Sequence, residues 1–346
     1  MGVNTSLFEQ IEPFLDDYSC PKDDLREFLT SALDFTSRQE KATRIIRQMM
    51  IAHGKEDLFR HVVELARIEH GIRDLEPWVR DHVVHGVLSF AVGVCVNERL
   101  LRPAGHSVNR FQWKLAGLFH DVGYPAEVAK DILRPFTDRI NRIKRELGVA
   151  THDVSIRLTP VGLDELRNET NSLPLIQAQI DEWGLAICAR SEYDSMKEAD
   201  NICHGMISAL SILYVVDLMY QKYNPSRKCR DIYEPPGINW NQSYFENAIV
   251  PACAAIFLHN LPSRCFGSSP IDRRRAPLPF LLKLCDCLQD WDRPSAEHPN
   301  GIPDHMYDLD CDHGGLTLTV RRSDRRMKIA GEIESSLVGG DVNITG

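Results

Sequence analysis

The sequence predicts an all-α protein with a helical core, a helical N-terminal extension and a small C-terminal β-hairpin. Apolar residues recur at helical spacing along most of the chain, in segments that end at Gly or Pro. Near the C-terminus, by contrast, residues 316–320 and 327–333 alternate apolar and polar side chains as strands do. We therefore expect a helical segment over residues 1–75, a helical domain over 76–300, and a hairpin with its tail over 301–346.

The N-terminal part is predicted to contain several amphipathic helices. They cover residues 5 to 72 and are broken near Pro21 and Gly54. Pro77 then starts a long apolar helix that ends at about Leu101, two residues before another proline.

The middle of the chain continues the helical pattern. Asn109 can cap the helix that leads into residues 120 and 121, because its side chain can accept hydrogen bonds from the first free backbone N–H groups. Pro125 opens the next helix and Pro135 can kink it. Polar, proline-containing stretches near 150–174 and 224–240 are predicted to be connectors.

The C-terminal segment departs from this pattern. Its two strand-like runs flank Ser323 and Asp324, which are predicted to form the hairpin turn. We expect residues 339–346 to be loosely ordered.

The composition indicates a soluble, cytoplasmic protein. The chain has 346 residues, 43% of them hydrophobic, and a net charge of −9, so an extended nucleic-acid duplex is not an expected partner. No membrane span is expected either, since a span needs about 20 predominantly apolar residues. The first residues lack the basic flank and apolar core of a secretory signal. The ten cysteines include no Cys-x-x-Cys pair and suit a reducing compartment.

The most informative motif is the pair His120-Asp121, which ends an apolar helical run and is followed at once by Gly and Pro. A buried imidazole and carboxylate must be paired, hydrogen-bonded or metal-bound to offset their desolvation. A second pair, His152-Asp153, lies in a polar segment with no apolar helix before it. We therefore single out the first pair as a candidate site.

Four further polar residues interrupt or bound apolar helices in the same way, namely His85, His204, His259 and Asp286. Imidazole nitrogens and carboxylate oxygens together suit divalent metals such as Mn, Fe, Ni or Zn. Six ligands are more than one four-coordinate ion needs, so two ions that share a carboxylate are possible. We expect the six residues to converge although about 200 positions separate the first from the last.

This ordered pattern resembles the HD-domain superfamily of metal-dependent phosphohydrolases over about residues 82–294. His85-Gly86, followed by an apolar helix, is similar to the first histidine of the family. The run from Leu118 to Gly123 is similar to its signature doublet. Asp286, with Trp291-Asp292-Arg293-Pro294 behind it, is similar to its closing aspartate.

The resemblance implies an all-helical fold and hydrolysis of phosphate esters or anhydrides, often of nucleotides or cyclic dinucleotides. His204 and His259 match the two extra histidines of members that hold a binuclear centre, so the implied cofactors are two divalent ions (Mn, Fe, Ni, Co, Zn or Mg). The chain departs from many members at Tyr124, which stands where they carry a lysine. It also lacks the motifs of the cyclic-di-GMP and deoxynucleoside-triphosphate subfamilies, so no subfamily is assigned.

Individual roles follow from this interpretation. Asp121 is predicted to bridge the ions and to be essential for catalysis, with an activated water as the nucleophile. Lys283, one helical turn before Asp286, and Arg293 are predicted to contact phosphate. His82, one turn before the first ligand, is either an alternative ligand or a residue that supports the ligands, and we favour support.

The sequence thus predicts a metal-dependent phosphohydrolase that acts on a phosphorylated small molecule, for which a nucleotide is the preferred candidate. Two alternatives remain open at this point. One is a nucleotide-binding sensor of the same fold without turnover, which the missing lysine and the N-terminal helices would suit. The other is a di-iron oxygenase of the HD type, which the ligand set alone does not exclude.

Overall fold

The computed structural model of the protein describes most of the chain. The described residues are 7–31, 33–52, 54, 56–66, 82–148, 152–153, 155, 162–166, 171–223, 244–288, 307–310, 316–320, 323–338 and 342–345.

Helices dominate the described residues, which confirms the predicted all-α class. The N-terminal helices are α1 (Leu7–Ile11), a 3-10 helix (Glu12–Tyr18), α2 (Lys22–Thr30), α3 (Phe35–Ala52) and α4 (Glu56–Ala66). The central helices are α5 (His82–Val96), a π-helix (Asn97–Leu101), α6 (Arg110–Phe119), α7 (Tyr124–Glu146), α8 (Ser172–Glu182), α9 (Ala189–Glu198) and α10 (His204–Tyr223). The remaining helices are a π-helix (Phe245–Ile249), α11 (Val250–His259), a 3-10 helix (Ser263–Phe266), α12 (Pro277–Leu288) and α13 (Ser323–Ser336).

Two buried helices organise the core. Helix α11 contacts α6, α8, α10 and α12, and all ten of its residues are buried. Helix α5 is buried along its whole length and packs against α6 and α12 on one side and against α1 and α3 on the other. Consequently the N-terminal helices and the central helices share one hydrophobic cluster, which extends from Phe8 to Leu337.

A buried polar contact joins the N-terminal segment to the end of α5. The Tyr18 hydroxyl donates to Glu98 Oε1 at 2.8 Å, and the Asn97 amide donates to the Tyr18 oxygen at 2.8 Å. Arg102 and Arg110 approach the same Glu98 carboxylate. Burial raises the pKa of Tyr18, so this phenol stays protonated and remains a donor.

Several predicted boundaries are confirmed. Asn109 caps α6, since its side chain accepts from the N–H groups of residues 111 and 112 at 2.9 and 3.2 Å. Pro125 lies in the first turn of α7 and Pro135 lies inside that helix. Pro77 and the connector 224–240 lie outside the described residues.

The first strand of the predicted hairpin, residues 316–320, is present, but the predicted second strand, residues 327–333, is wrong because these residues form part of a helix. The strands are β1 (Tyr307–Asp310), β2 (Leu316–Val320) and β3 (Val342–Thr345), in the order β1-β2-β3 with an antiparallel and then a parallel pairing. The segment around Ser323 and Asp324 begins α13 instead of turning, and the tail expected to be loose supplies β3.

The side-chain spacing explains the difference at α13. Ile329 and Ile333 are spaced by four residues and are both 2% exposed, as on one face of a helix. Met327 would share their face in a strand but is 72% exposed. The apolar residues of this segment therefore fit both the alternation of a strand and the spacing of a helix, and in the structure they form the buried face of a helix.

One described helical stretch, His82–Leu101, is long and apolar enough to cross a membrane. Of its most apolar window, 94% is buried inside the protein, where it is surrounded by other helices. This is the environment of a core helix.

Lys114 on α6 gives a test of the packed core. Its side chain is fully buried, and burial lowers its pKa from 10.5 to about 8. Below about pH 8 the folded protein therefore keeps the buried ammonium charged, at a cost in stability. This cost is relieved as the pH rises from about 8 toward 10.5, because the folded protein then loses the proton while the unfolded chain keeps it. Relative to Lys114→Met, we expect the free energy of unfolding of the wild type to rise by about 2 kcal/mol from about pH 7.5 to about pH 9.5. Urea titrations of both proteins measure it, and a constant difference across this range would contradict the burial of the charge.

Candidate metal centre

The ends of five helices meet at one point in the core. Helix α5 contributes His82 and His85 from its first turn. The pair His120-Asp121 follows α6 in the turn that leads to α7. His204 is the first residue of α10, His259 is the last of α11, and Asp286 lies in the last turn of α12.

Two glycines allow these ends to approach. A Cβ atom at Gly86 would lie 2.7 Å from the carbonyl oxygen of Leu118, so glycine lets α5 pack directly against the end of α6. A Cβ atom at Gly205 would lie 2.9 Å from the His259 ring. Glycine there makes room for the imidazole between α10 and α11.

The first cluster of potential ligands contains His85, His120, Asp121 and Asp286, whose ligand atoms all lie within 4.8 Å of one another. His85 Nε2 lies 3.0 Å from His120 Nε2, 3.4 Å from Asp121 Oδ2 and 3.3 Å from Asp286 Oδ1. His85 and His120 are 0–1% exposed in their side chains, whereas Asp286 is 25% exposed.

The second cluster contains Asp121, His204 and His259, again within 4.8 Å. Asp121 Oδ1 lies 3.2 Å from His204 Nε2 and 3.4 Å from His259 Nε2. The other oxygen of the same carboxylate faces the His85 imidazole. Asp121 therefore belongs to both clusters. Its Oδ2 faces His85 of the first cluster, and its Oδ1 faces His204 and His259 of the second.

The chemistry of the donors fits divalent metal ions. Two ligands that each lie about 2.1 Å from one ion are about 3.0–3.4 Å apart in tetrahedral or octahedral coordination. The separations around Asp121 are close to this range. Among the described residues, the buried atoms Asp121 Oδ1 and His259 Nε2 have no hydrogen bond of acceptable geometry, although only 3.4 Å separates them. A cation between them would satisfy both atoms, so the two clusters can hold metal ions.

Outer contacts turn the histidine Nε2 atoms toward the clusters. His120 Nδ1 lies 3.2 Å from the carbonyl oxygen of Gly117, and His259 Nδ1 lies 2.6 Å from that of Ile256. A carbonyl oxygen can only accept, so each Nδ1 carries a proton, and in the neutral imidazole each Nε2 then keeps the lone pair that a metal needs.

Glu127 and Asn260 complete the surroundings of His204. Glu127 Oε2 accepts from His204 Nδ1 at 2.7 Å and from the His204 backbone N–H at 2.9 Å. The Asn260 amide lies 2.9 Å from the same ring nitrogen. Neither residue is predicted from the sequence. Their only signals were an acidic residue in the first turn of α7 and an amide next to His259.

The charges inside the site are strongly coupled. Burial alone raises the pKa of Asp121, but His120 and His204 hold it well below its usual value. Burial alone lowers the pKa of His204, but the carboxylates of Asp121 and Glu127 raise it to about 10. Burial lowers the pKa of His259. Because ligation needs neutral imidazoles, metal binding at His204 is expected to release a proton.

The other predicted residues lie as follows. Lys283 Nζ donates to the carbonyl oxygen of His259 at 2.7 Å, so it holds the end of α11. His82 Nε2 lies 3.6 Å from Asp121 Oδ2, and its ring stacks on Tyr124 at a centroid distance of 3.9 Å. Arg293 lies outside the described residues, whereas His152, from the second His-Asp pair, is exposed.

Comparison of the chain with protein-family models, with curated proteins and with solved structures gave no match. The interpretation of the centre therefore depends on its geometry and chemistry.

His204 tests the second cluster. We expect purified wild type to bind close to two metal ions per chain, and His204→Ala to bind close to one, because three donors would be reduced to two. Inductively coupled plasma mass spectrometry after dialysis against Mn or Zn measures the ratio. His152→Ala, at an exposed histidine, is the matched control and should keep the wild-type ratio. An unchanged ratio in His204→Ala would make His204 a core histidine.

Glu127 should act on affinity more than on capacity. In Glu127→Ala the His204 ring loses the acceptor that fixes its orientation, so we expect the second ion to bind about 10–100-fold more weakly. Saturating metal should still fill the cluster. Titration against a chelator of known affinity measures the change, and equal affinities would show that Glu127 does not orient His204.

Proposed function

We propose that the protein is a metal-dependent phosphohydrolase with a binuclear centre. The observation that carries the proposal is the Asp121 carboxylate, which two ligand clusters share at the meeting point of five helix ends. The resemblance of the same residues to the HD-domain superfamily supports the reaction class. The first ion would be held by His85, His120, Asp121 and Asp286, and the second by Asp121, His204 and His259.

Residues of the chain would position the two ions and the imidazoles that bind them. Asp121 would hold the two ions at a fixed separation, while Glu127 and the carbonyl of residue 256 keep two imidazoles in the orientation that ligation needs. Lys283 holds the carbonyl end of the helix that carries His259. When bound, divalent ions activate water as a nucleophile and neutralise charge on a phosphoryl group.

The cysteines near the centre favour water over a thiol as the nucleophile. Cys203 precedes His204, and burial raises the pKa of its thiol to about 11. Burial also raises the pKa of Cys285 and Cys287, on either side of Asp286. A thiol is a weak nucleophile until it is deprotonated, so these residues are poorly suited to attack phosphorus.

The substrate would approach from the side of the two most exposed ligands. The side chains of His204 and Asp286 are 14% and 25% exposed, whereas those of His85 and His259 are fully buried. Tyr124 lies beside His204 at a ring distance of 5.4 Å. We propose that a nucleotide or another phosphate ester or phosphodiester binds here, with Tyr124 as a hydrogen-bond donor, and we keep Arg293 as the phosphate contact that the sequence predicts.

Asp121 gives the decisive test of this function. We expect Asp121→Ala to reduce hydrolysis to background, because neither ion would keep its shared ligand. The assay is a panel of nucleotides, cyclic dinucleotides and generic phosphodiesters with Mn, Fe, Co, Ni or Mg, and His152→Ala is the control that should retain wild-type rates.

The same panel, with a spectroscopic and a binding measurement, distinguishes the hydrolase from the oxygenase and the sensor. Wild type with full metal occupancy that hydrolyses none of these compounds would overturn the proposal. A mixed-valence di-iron signal in electron paramagnetic resonance would then favour an oxygenase. Nucleotide binding without turnover would favour a sensor.

A further inference from the structure

The second half of α7 carries an exposed apolar stripe. Phe136, Ile143 and the helix-capping Leu147 are 59%, 40% and 72% exposed, and they are three of the seven large hydrophobic residues that are exposed in the described part of the chain. At 3.6 residues per turn, these three positions lie within about 40° of arc around the helix axis. The partly buried Ile140 extends the stripe.

This stripe is not the face by which α7 rests on the protein. Buried Thr137 and Asn141, both 9% exposed, lie about 100–140° around the axis from Phe136. This half of the helix thus turns Thr137 and Asn141 inward and its large apolar residues outward, the reverse of a helix that packs only within its own chain. An exposed apolar patch of this kind marks an interaction surface.

The stripe is symmetric about its own midpoint. An antiparallel copy, related by a two-fold axis between residues 141 and 142, would place Phe136 opposite Leu147 and Ile140 opposite Ile143. A surface that pairs with itself in this way is what a two-fold dimer requires. Two antiparallel helices with apolar residues at these spacings can interdigitate their side chains.

The charges beside the stripe are complementary in the same arrangement. Arg139 and Glu146 lie on one flank, 3.9 Å apart, and are 60% and 57% exposed. The two-fold axis keeps this flank on the same side of both helices and brings Arg139 of one copy to about the level of Glu146 of the other. A cross-dimer ion pair is therefore available on this flank.

We propose that the chain forms a homodimer through the α7 stripe, defined by Phe136, Ile140, Ile143 and Leu147. An anionic lipid surface suits the arrangement less well. The stripe is flanked by Glu146 as well as by Arg139, and the whole chain carries a net charge of −9. Because a single helix pair buries less than the standard interface of about 1,600 Å², we expect dissociation in the micromolar range.

The test is the mass in solution of the full chain. Sedimentation equilibrium of the wild type at about 100 μM should give twice the chain mass of 39.3 kDa. Ile143→Glu should halve the mass, since it places two carboxylates at the centre of the apolar contact. Far-UV circular dichroism checks that the variant keeps its helices. Met327→Glu, at an apolar residue on α13 that is even more exposed (72% against 40% for Ile143), is the control and should remain dimeric.

A charge exchange tests the register. Arg139→Glu should shift the equilibrium toward monomer, and Arg139→Glu combined with Glu146→Arg should restore the dimer, because both copies carry the exchanged pair. A wild type of 39.3 kDa would overturn the proposal, and its sedimentation with phosphatidylserine vesicles would then assign the face to lipid. A dimer that Ile143→Glu leaves intact would also overturn it, since the interface would lie elsewhere.

Discussion

The buried carboxylate of Asp121 is the group around which the rest of the structure is arranged. Its two oxygens lie within 3.6 Å of imidazole nitrogens from three different helices and from the preceding residue. A carboxylate in the core is costly unless opposite charge or hydrogen bonds surround it. Each of the helices that supplies a histidine must therefore have one of its two ends at this point. The packing of α5, α6, α10 and α11 follows from that requirement.

The same constraint explains where the chain uses small residues. Gly86 allows α5 to approach the end of α6, and Gly205 leaves space for the His259 ring. Larger side chains at these positions would separate the histidines that face Asp121. The N-terminal helices then cover the outer side of α5, and the contact from Tyr18 to Glu98 fixes them there. The site thus depends on helices that contribute none of its potential ligands.

Much of this centre could be predicted from the sequence because each potential ligand is a polar residue in the first or last turn of an apolar helix or directly after it. His85, His120, His259 and Asp286 stand out for that reason. Glu127 could not be found in this way, since α7 is rich in charged residues and one more carboxylate in its first turn does not stand out. The sequence predicts a strand where the last helix lies, because Ile329 and Ile333 satisfy both a helical and an alternating pattern. Which pattern holds is decided by tertiary packing, which buries these two residues and leaves Met327 exposed.

Helix α7 connects the two features that we propose to be functional. Its first turn holds Glu127 against His204, and its second half carries the apolar stripe. At 1.5 Å per residue, the centre of the stripe lies about 20 Å along the helix from Glu127. The potential ligands of the candidate metal centre all come from one chain, so a dimer through α7 would leave each centre complete. Dimerisation would then act on the site only through the orientation of α7, by stabilising the helix that positions His204.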